Sequence, residues 1–440
     1  MLKMILYLLF LMFFFNMKNY WWMIYCSLMT LFFFMLNLNY IMLNFFNISI
    51  LMGMDIISMG MLMLSIWIFS LVIMSMSSLN LYKKEFMFNL LMMLILLFLT
   101  FSSLNFFFFY MFFEFSLIPM VFMIIGWGYQ VDRIQAGLYL FFYTILISLP
   151  MLMCLLKLYN MENNMNMMLM NFNNVVFYII MMLTFLVKMP MFFLHLWLLK
   201  AHVEAPVGGS MILAGVLLKL GGYGLFRLMF MVINLSVKLN YFWILLSLIG
   251  GFYMSLMCFF QVDMKLLIAC SSVVHMSLVI CGMLTMNNWG LMGGYLLMIG
   301  HGLSSSGLFC IAGYYYDYFN SRSLMICKGL LSLFPIMSMW MFMLVCSNMA
   351  APPSLNLFGE ISLINSILSW SSLMILFIML ISFFSFGYSL YLYSYSQHGL
   401  YYFGMLNIYM SNSMMYLSLL LHYLPLNLLF LKLDFIYLLC

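Results

Sequence analysis

Four charged residues lie in the middle of apolar stretches of the sequence. Glu114 lies within FFFFYMFFEFSLIPM, Lys188 within MMLTFLVKMPMFF, Lys219 within MILAGVLLKLGGYG and Glu360 within SLNLFGEISLINS. A charge near the centre of a membrane-spanning helix costs about 2.5–3.5 kcal/mol, so four cost on the order of 10–14 kcal/mol. Many proteins have no more stability than that in total. We therefore expect these residues to do chemistry, and a lysine–carboxylate pair that can separate suits a proton relay.

Two histidines in similar surroundings add groups that can carry a proton. His275 (SSVVHMS) and His301 (MIGHGLSSSG) lie among small and hydroxyl residues that could hold ordered water. Histidine titrates nearest to neutral pH, so it suits a proton shuttle. The structural alternative is a neutral histidine that is hydrogen-bonded to a neighbouring hydroxyl. For His195 and His202, which flank a polar turn, we expect structural or interfacial roles.

The charged residues also have structural interpretations. A lysine can extend its apolar stem and place its ammonium group at the membrane interface. This explanation suits Lys157 and Lys238, which lie near predicted helix ends, better than Lys219, which has a long apolar or small-residue stretch on each side. Glu114 and Glu360 could instead form ion pairs that only hold neighbouring helices together.

The composition indicates the elements that must position these residues. The chain has 440 residues, 68% of them hydrophobic and 6% charged, whereas soluble domains have about 25% charged residues. One membrane-spanning helix needs about 20 apolar residues, so the sequence predicts an all-α integral membrane protein of about fourteen helices without a soluble domain. The predicted helices are 2–16, 20–37, 51–77, 86–102, 105–128, 134–156, 175–199, 206–231, 240–260, 265–284, 289–316, 336–369, 371–395 and 406–431.

Prolines interrupt two of the predicted helices. Pro190 and Pro352 each remove a backbone hydrogen bond and obstruct the preceding turn, and broken helices at membrane depth survive where they line a cavity or are buried in protein. The two prolines are separated by almost the same number of residues as Glu114 and His275. That offset spans five helices, an odd number, so we predict two inverted repeats. The predicted regions are 1–80, the repeats 86–231 and 240–395, and a C-terminal helix in 406–440.

Because the predicted loops alternate between two sides, their charges predict an orientation. The side with Arg133, Lys265 and Arg322 has more Lys and Arg residues than the other, and we expect it to face inside. The abundance of Met (55), Phe (47) and Tyr (29) resembles that of mitochondrially encoded proteins. The sequence has no phosphate-binding glycine motif and no basic run for nucleic acid, and its scattered cysteines do not have metal-site spacing.

Several segments resemble one known family. KMPMFFLHLWLLKAHVEAPVGGSMILAGVLLKLGGYG (188–224) is similar to the signature of the antiporter-like membrane-arm subunits of NADH:ubiquinone oxidoreductase, respiratory complex I. QVDMKLLIACSSVVHMS (261–277), IGHGLSSSGLF (299–309) and PPSLNLFGE (352–360) occur in the matching order. The match extends over about residues 85–395. Within the family, this sequence is most similar to the members that have glutamate at the position of Glu360. Sister subunits have lysine there.

The resemblance implies fourteen helices, two inverted five-helix repeats and broken seventh and twelfth helices. It implies that Glu114 and Lys188 form an ion pair, that Lys219 is the central relay and that Glu360 is the exit-side group. His275 and His301 would line the hydrated axis between the last two. The chain itself would hold no redox cofactor or metal, with flavin and iron–sulfur clusters on other subunits. Cys270, where the family has tyrosine, is a departure that affects no expected relay residue.

Three hypotheses therefore remain at the level of sequence. In the first, the chain is a proton-translocating subunit of complex I in the mitochondrial inner membrane, with neighbouring subunits and membrane lipids as partners. In the second, it is a stand-alone cation/proton antiporter of the same fold. In the third, it is a scaffold whose buried charges only clamp helices together.

Overall fold

The described chain is built from helices. The computed structural model describes residues 2–37, 52–79, 81–401 and 412–433. Every backbone donor and acceptor inside a bilayer needs a partner within the protein, so an apolar sequence of this length folds as helices. The predicted all-helical class is confirmed. The first helices are α1 (Leu2–Phe10), which continues as a 3-10 turn (Leu11–Asn16), α2 (Tyr20–Leu36), α3 (Ile56–Ser75) and α4 (Lys83–Ser102).

The next group of helices contains the first interrupted segment. These helices are α5 (Phe106–Phe115), α6 (Leu117–Trp127), α7 (Arg133–Glu162), α8 (Val175–Lys188), α9 (Leu196–Glu204), α10 (Val207–Ile212) and α11 (Leu218–Met231). A π-helical turn, Leu213–Leu217, joins α10 to α11, so residues 207–231 form one continuous rod.

The remaining helices contain the second interrupted segment. They are α12 (Ile233–Cys258), α13 (Met264–Leu284), α14 (Asn288–Phe319), α15 (Leu330–Leu333), α16 (Pro335–Asn348), α17 (Leu355–Trp370), α18 (Ile375–Gln397) and α19 (Ser413–Leu428). Two 3-10 turns complete the set, Ser372–Met374 before α18 and Leu429–Lys432 after α19.

Within the described residues, ten helical rods are long and apolar enough to cross a membrane. Four further apolar helices are shorter, namely Leu2–Asn16, Tyr20–Leu36, Val175–Lys188 and Pro335–Asn348. The helices differ in their exposure. The rod 207–231 and α14 are buried along their apolar lengths, whereas α18 and α19 expose large apolar side chains such as Phe383 and Leu417. The buried rods form the centre of the molecule, and the exposed apolar faces are suited to lipid or to neighbouring proteins.

Some predicted helix boundaries differ from those in the structure. Helix α12 begins at Ile233, directly after Val232, whereas residues 232–239 were expected to form a loop. Polar residues did not mark a break there because Ser236 and Asn240 are buried and hydrogen-bonded, and Asn240 donates to the Leu284 carbonyl oxygen at 2.7 Å. Helix α7 extends through Glu162 into the expected loop. Parts of two predicted helices, residue 51 and residues 406–411, lie outside the described residues.

Both predicted interruptions are present. Helix α8 ends at Lys188 and α9 begins at Leu196, so the break contains Pro190. Helix α16 ends at Asn348 and α17 begins at Leu355, so the second break contains Pro352. The broken helices near these two prolines are confirmed.

At each break, a side chain from the following helix donates a hydrogen bond to a carbonyl oxygen at the end of the preceding helix. The Trp197 indole donates to the carbonyl oxygen of Val187 at 2.8 Å, and the Asn356 amide donates to that of Ser347 at 2.8 Å. These carbonyl groups lie at helix ends, where backbone acceptors lack helical partners. Side-chain donors therefore allow both helices to end inside the protein.

Candidate functional site

Glu114 and Lys188 form an ion pair at the first break. Lys188 is the last residue of α8, and its Nζ lies 3.8 Å from Glu114 Oε1 of α5. The ammonium group also donates to the Phe113 carbonyl oxygen at 2.7 Å and lies 3.1 Å from the centroid of the Phe113 ring. The two side chains are 4% and 16% exposed, so Lys188 is buried and Glu114 is partly buried. The carboxylate contact is longer than a hydrogen bond, whereas the backbone and ring contacts would remain if the carboxylate moved.

Lys219 lies at the centre of the molecule and is fully buried. It is the second residue of α11, directly after the π-helical turn, and its Nζ donates to the Ala214 carbonyl oxygen within that turn. Such turns widen a helix and are frequent at functional sites. Nζ is also 3.0 Å from His301 Nδ1 of α14. Among the described residues, no carboxylate forms an ion pair with Lys219.

The Lys219–His301 contact is suited to proton transfer. If Lys219 is charged, it donates to an unprotonated Nδ1; if it is neutral, it accepts from a protonated Nδ1. Both states preserve the same contact, so one proton can move between the two atoms without a large movement of either side chain.

A second histidine and a carboxylate continue from His301. The ring of His275, on α13, lies 5.4 Å from the His301 ring between centroids. His275 Nδ1 lies 3.4 Å from Glu360 Oε1 of α17, and the other nitrogen lies 3.4 Å from the Tyr388 hydroxyl of α18. Lys219, His301, His275 and Glu360 thus form a row of ionisable groups that crosses four helices, the first three buried and Glu360 partly buried. We call these four residues the central row.

The six predicted site residues therefore form two groups, the Glu114–Lys188 pair and the central row. The groups are linked by close helix packing. A Cβ atom added at Gly221 of α11 would lie 2.7 Å from the backbone nitrogen of Met189, the residue after Lys188. Only glycine allows α11 to approach the first break this closely, so Gly221 helps to set the spacing between Lys188 and Lys219.

Sequence reasoning missed a second buried ion pair. Arg227 Nη2 lies 2.6 Å from Asp55 Oδ2 and donates to the Tyr223 hydroxyl at 2.9 Å. Tyr223 in turn donates to the Phe101 carbonyl oxygen at 3.1 Å. Arg227 is two helical turns beyond Lys219 on α11, a spacing that places both on one face. That spacing is the sequence signal that could have placed Arg227 near the site. Because a guanidinium group does not release its proton in proteins, Arg227 stabilises the site and does not carry protons.

The sequence also gave no signal for Tyr388. Its hydroxyl contact to His275 depends on how α18 packs against α13. As for metals, among the described residues no three His, Cys, Asp or Glu side chains are grouped in a way that could hold an ion.

Known proteins resemble this chain in sequence and in fold. A family described as "NADH:quinone oxidoreductase/Mrp antiporter, TM" matches residues 103–385, and one described as "NADH-ubiquinone oxidoreductase chain 4, amino terminus" matches residues 1–100. The NADH-ubiquinone oxidoreductase chain 4 of Ceratitis capitata is 53% identical over 92% of both chains. That of Aedes aegypti is 52% identical, also over 92% of both chains.

Solved structures show the same fold at low sequence identity. A chain of the respiratory complex I from Thermus thermophilus has a TM-score of 0.83 at 22% identity, with 94% of each chain covered. A chain of the Mrp complex from Dietzia sp. has a TM-score of 0.78 at 14% identity, covering 88% of this chain and 83% of that one. The fold is therefore shared by respiratory and antiporter complexes, and the sequence matches decide between them: the chain belongs to the NADH-ubiquinone oxidoreductase chain 4 family.

Proposed function

We propose that this chain is a proton-translocating membrane-arm subunit of NADH:ubiquinone oxidoreductase in the mitochondrial inner membrane. The central row carries the proposal, because four ionisable groups from four helices meet in the buried centre of a membrane protein. Buried ionisable groups are costly in a membrane and are characteristic of proton relays. The partners are the other subunits of respiratory complex I, including neighbouring antiporter-like subunits, together with membrane lipids.

We also propose that the helices form fourteen spans. The ten long rods supply ten spans, α1 with its 3-10 turn and α2 supply two, and the broken pairs α8–α9 and α16–α17 supply the remaining two. Regions 86–231 and 240–395 would then be two inverted repeats, flanked by 1–80 and 406–440. Both breaks have a side-chain donor from the following helix, which supports this relationship.

In the proposed relay, the proton moves along the central row. Lys219 transfers a proton to His301 Nδ1, His301 passes a proton to His275, and His275 passes one to Glu360. The 3.0 Å and 3.4 Å contacts at the two ends of the row suit direct transfer. The 5.4 Å separation of the two rings suits transfer through an intervening water molecule.

The Glu114–Lys188 pair supplies the coupling. When Lys188 is close to Glu114, its positive charge is partly compensated. If the Lys188 ammonium group separates from Glu114 and moves toward α11, its charge is no longer compensated. It then repels the positive charge on Lys219 and favours release of the Lys219 proton to His301. Moving one charge against the membrane potential costs about 2.3 kcal/mol per 100 mV, so an external driver is required.

Quinone reduction elsewhere in the complex is that driver. Flavin and iron–sulfur clusters would lie on other subunits, and this chain would perform no redox step. It contributes to the NADH:ubiquinone reductase as a pump element.

The main alternative is a stand-alone cation/proton antiporter, which the similarity to the Mrp complex chain favours. The two functions differ in their energy source. An antiporter would exchange sodium for protons in liposomes that contain this chain alone, whereas a pump element would translocate protons only when the assembled complex oxidises NADH.

The deciding experiment replaces the central lysine in the assembled complex. In sealed inner-membrane vesicles supplied with NADH and a quinone, we expect Lys219→Ala to lower the number of protons pumped per electron while the complex still assembles. Lys238→Ala is the matched control, because Lys238 is exposed on α12. The proton-to-electron ratio is the measurement.

A scaffold predicts a different result. If the buried charges only clamped helices, Lys219→Met would leave the ratio normal and raise stability, as replacement of buried charges by apolar groups can. A normal ratio in Lys219→Ala would rule out the proposed relay.

A further inference from the structure

A second group of ionisable side chains lies where α9 ends and α13 begins. Lys265, the second residue of α13, is 2% exposed and donates to the Ala205 carbonyl oxygen at 2.9 Å. Glu204, the last residue of α9, directly precedes Ala205. The loop that carries Arg322 is attached to α13, because the Met264 amide donates to the Arg322 carbonyl oxygen at 3.0 Å. Lys265 is therefore buried at the start of α13, between the end of α9 and the loop that carries Arg322.

His202, on α9, is fully buried. Its ring stacks on Phe309 of α14, with 4.7 Å between centroids and 5° between planes. Neither ring nitrogen has a hydrogen-bond partner among the described residues. His202 lies on α9 about one turn before Ala205, the residue that Lys265 contacts, and Phe309 lies on the same helix as His301, the partner of Lys219.

This arrangement is costly for a residue with only a packing role. A buried polar group without a partner destabilises the folded protein, and an apolar ring could stack on Phe309 without that cost. An imidazole, however, can accept a proton at one nitrogen and release one from the other. Lys265 contacts the end of the helix that carries His202, and the helix on which His202 stacks also carries His301 of the central row.

We propose that His202 passes protons between Lys265 and Lys219 and thereby connects the central row to the membrane face near Arg322. Through intervening water molecules, the ammonium group of Lys265 gives a proton to one ring nitrogen, and the other nitrogen gives a proton to the neutral amine of Lys219. Groups at the face then return a proton to Lys265. This route rests on the proposed function, because it requires Lys219 to carry protons. It also changes our expectation for His202, for which the sequence favoured a structural or interfacial role.

Two variants of the assembled complex test the route. His202→Gln removes the proton-carrying ring. Lys265→Arg keeps the positive charge and a donor for Ala205, but a guanidinium group does not release its proton. We expect both variants to lower the proton-to-electron ratio in sealed vesicles to the value of Lys219→Ala. Combining His202→Gln with Lys219→Ala should cause no further loss, because the effects of substitutions on one route do not add.

Matched controls separate transport from folding. The control for His202→Gln is His422→Gln, which replaces another fully buried histidine, whose Nδ1 lies 2.7 Å from the Ser418 carbonyl oxygen on α19. The control for Lys265→Arg is Lys200→Arg, which makes the same exchange at an exposed lysine. Both should pump normally. If His202→Gln fails to assemble, Lys265→Arg decides the question, since a purely structural contact to Ala205 predicts a normal ratio in that variant.

The outcomes distinguish this route from the proposed function. A normal ratio in an assembled His202→Gln or Lys265→Arg variant, beside a lowered ratio in Lys219→Ala, would overturn the route and leave the relay standing. A normal ratio in Lys219→Ala would overturn the relay itself, and the route with it.

Discussion

At the residue scale, Glu360 is the group that ends the central row. Its carboxyl oxygen lies 3.4 Å from His275 Nδ1. Glu360→Gln keeps the size of the side chain but removes its negative charge and its ability to take up a proton from His275. We expect this variant to assemble and to pump fewer protons per electron, measured in sealed vesicles oxidising NADH.

The control for this prediction is an exposed carboxylate. Glu85→Gln changes an exposed residue in the first turn of α4 and should leave the ratio unchanged. Normal pumping by Glu360→Gln would remove Glu360 from the relay.

At the element scale, the spacing between α8 and α11 depends on Gly221. A Cβ atom there would lie 2.7 Å from the Met189 nitrogen and 3.0 Å from the Phe185 carbonyl oxygen. Both are backbone atoms, so the helices must separate to admit the methyl group of Gly221→Ala. Overpacking of this kind costs about 1–3 kcal/mol, and we expect a lower thermal midpoint of the solubilised complex together with weaker proton pumping.

Gly126 provides the matched comparison. It lies in α6, and a Cβ atom there would meet nothing within 4 Å. Gly126→Ala should therefore be neutral or slightly stabilising, since alanine favours the helix by about 1 kcal/mol. Equal thermal midpoints for the two variants would contradict the role of Gly221 in helix spacing.

At the scale of the whole molecule, the Asp55–Arg227 pair joins the N-terminal helices to the centre. Asp55 caps α3 by accepting from the Ser58 amide at 2.9 Å and also contacts Arg227 of α11 at 2.6 Å. Asp55→Asn removes the negative charge beside a buried guanidinium group. Breaking a buried ion pair costs on the order of 3–5 kcal/mol, and we expect less assembled complex and a lower thermal midpoint.

A second substitution tests whether the broken Asp55–Arg227 pair causes the loss of stability. Combining Asp55→Asn with Arg227→Met removes the buried positive charge as well and should recover part of the loss. If the double variant is less stable than Asp55→Asn, the pair does not account for the effect.

The sequence by itself determined the class of the protein, most of its helices and the two interruptions, and it predicted six site residues. These features depend on local properties. A long apolar stretch must form a helix in a membrane, a proline disrupts the helix that contains it, and a charge within an apolar span costs enough energy to stand out. The sequence misplaces a helix boundary where a buried polar residue resembles part of a loop, as Ser236 does in α12.

Only the tertiary structure decided how those residues are grouped. The separation into the Glu114–Lys188 pair and the central row, the contact of Tyr388 with His275, the Asp55–Arg227 pair and the position of His202 all join helices that are distant in sequence. A helix that is apolar on every side lacks the amphipathic pattern that would identify its inward face. Its rotation is set by packing against its neighbours, and that packing determines which ionisable groups meet.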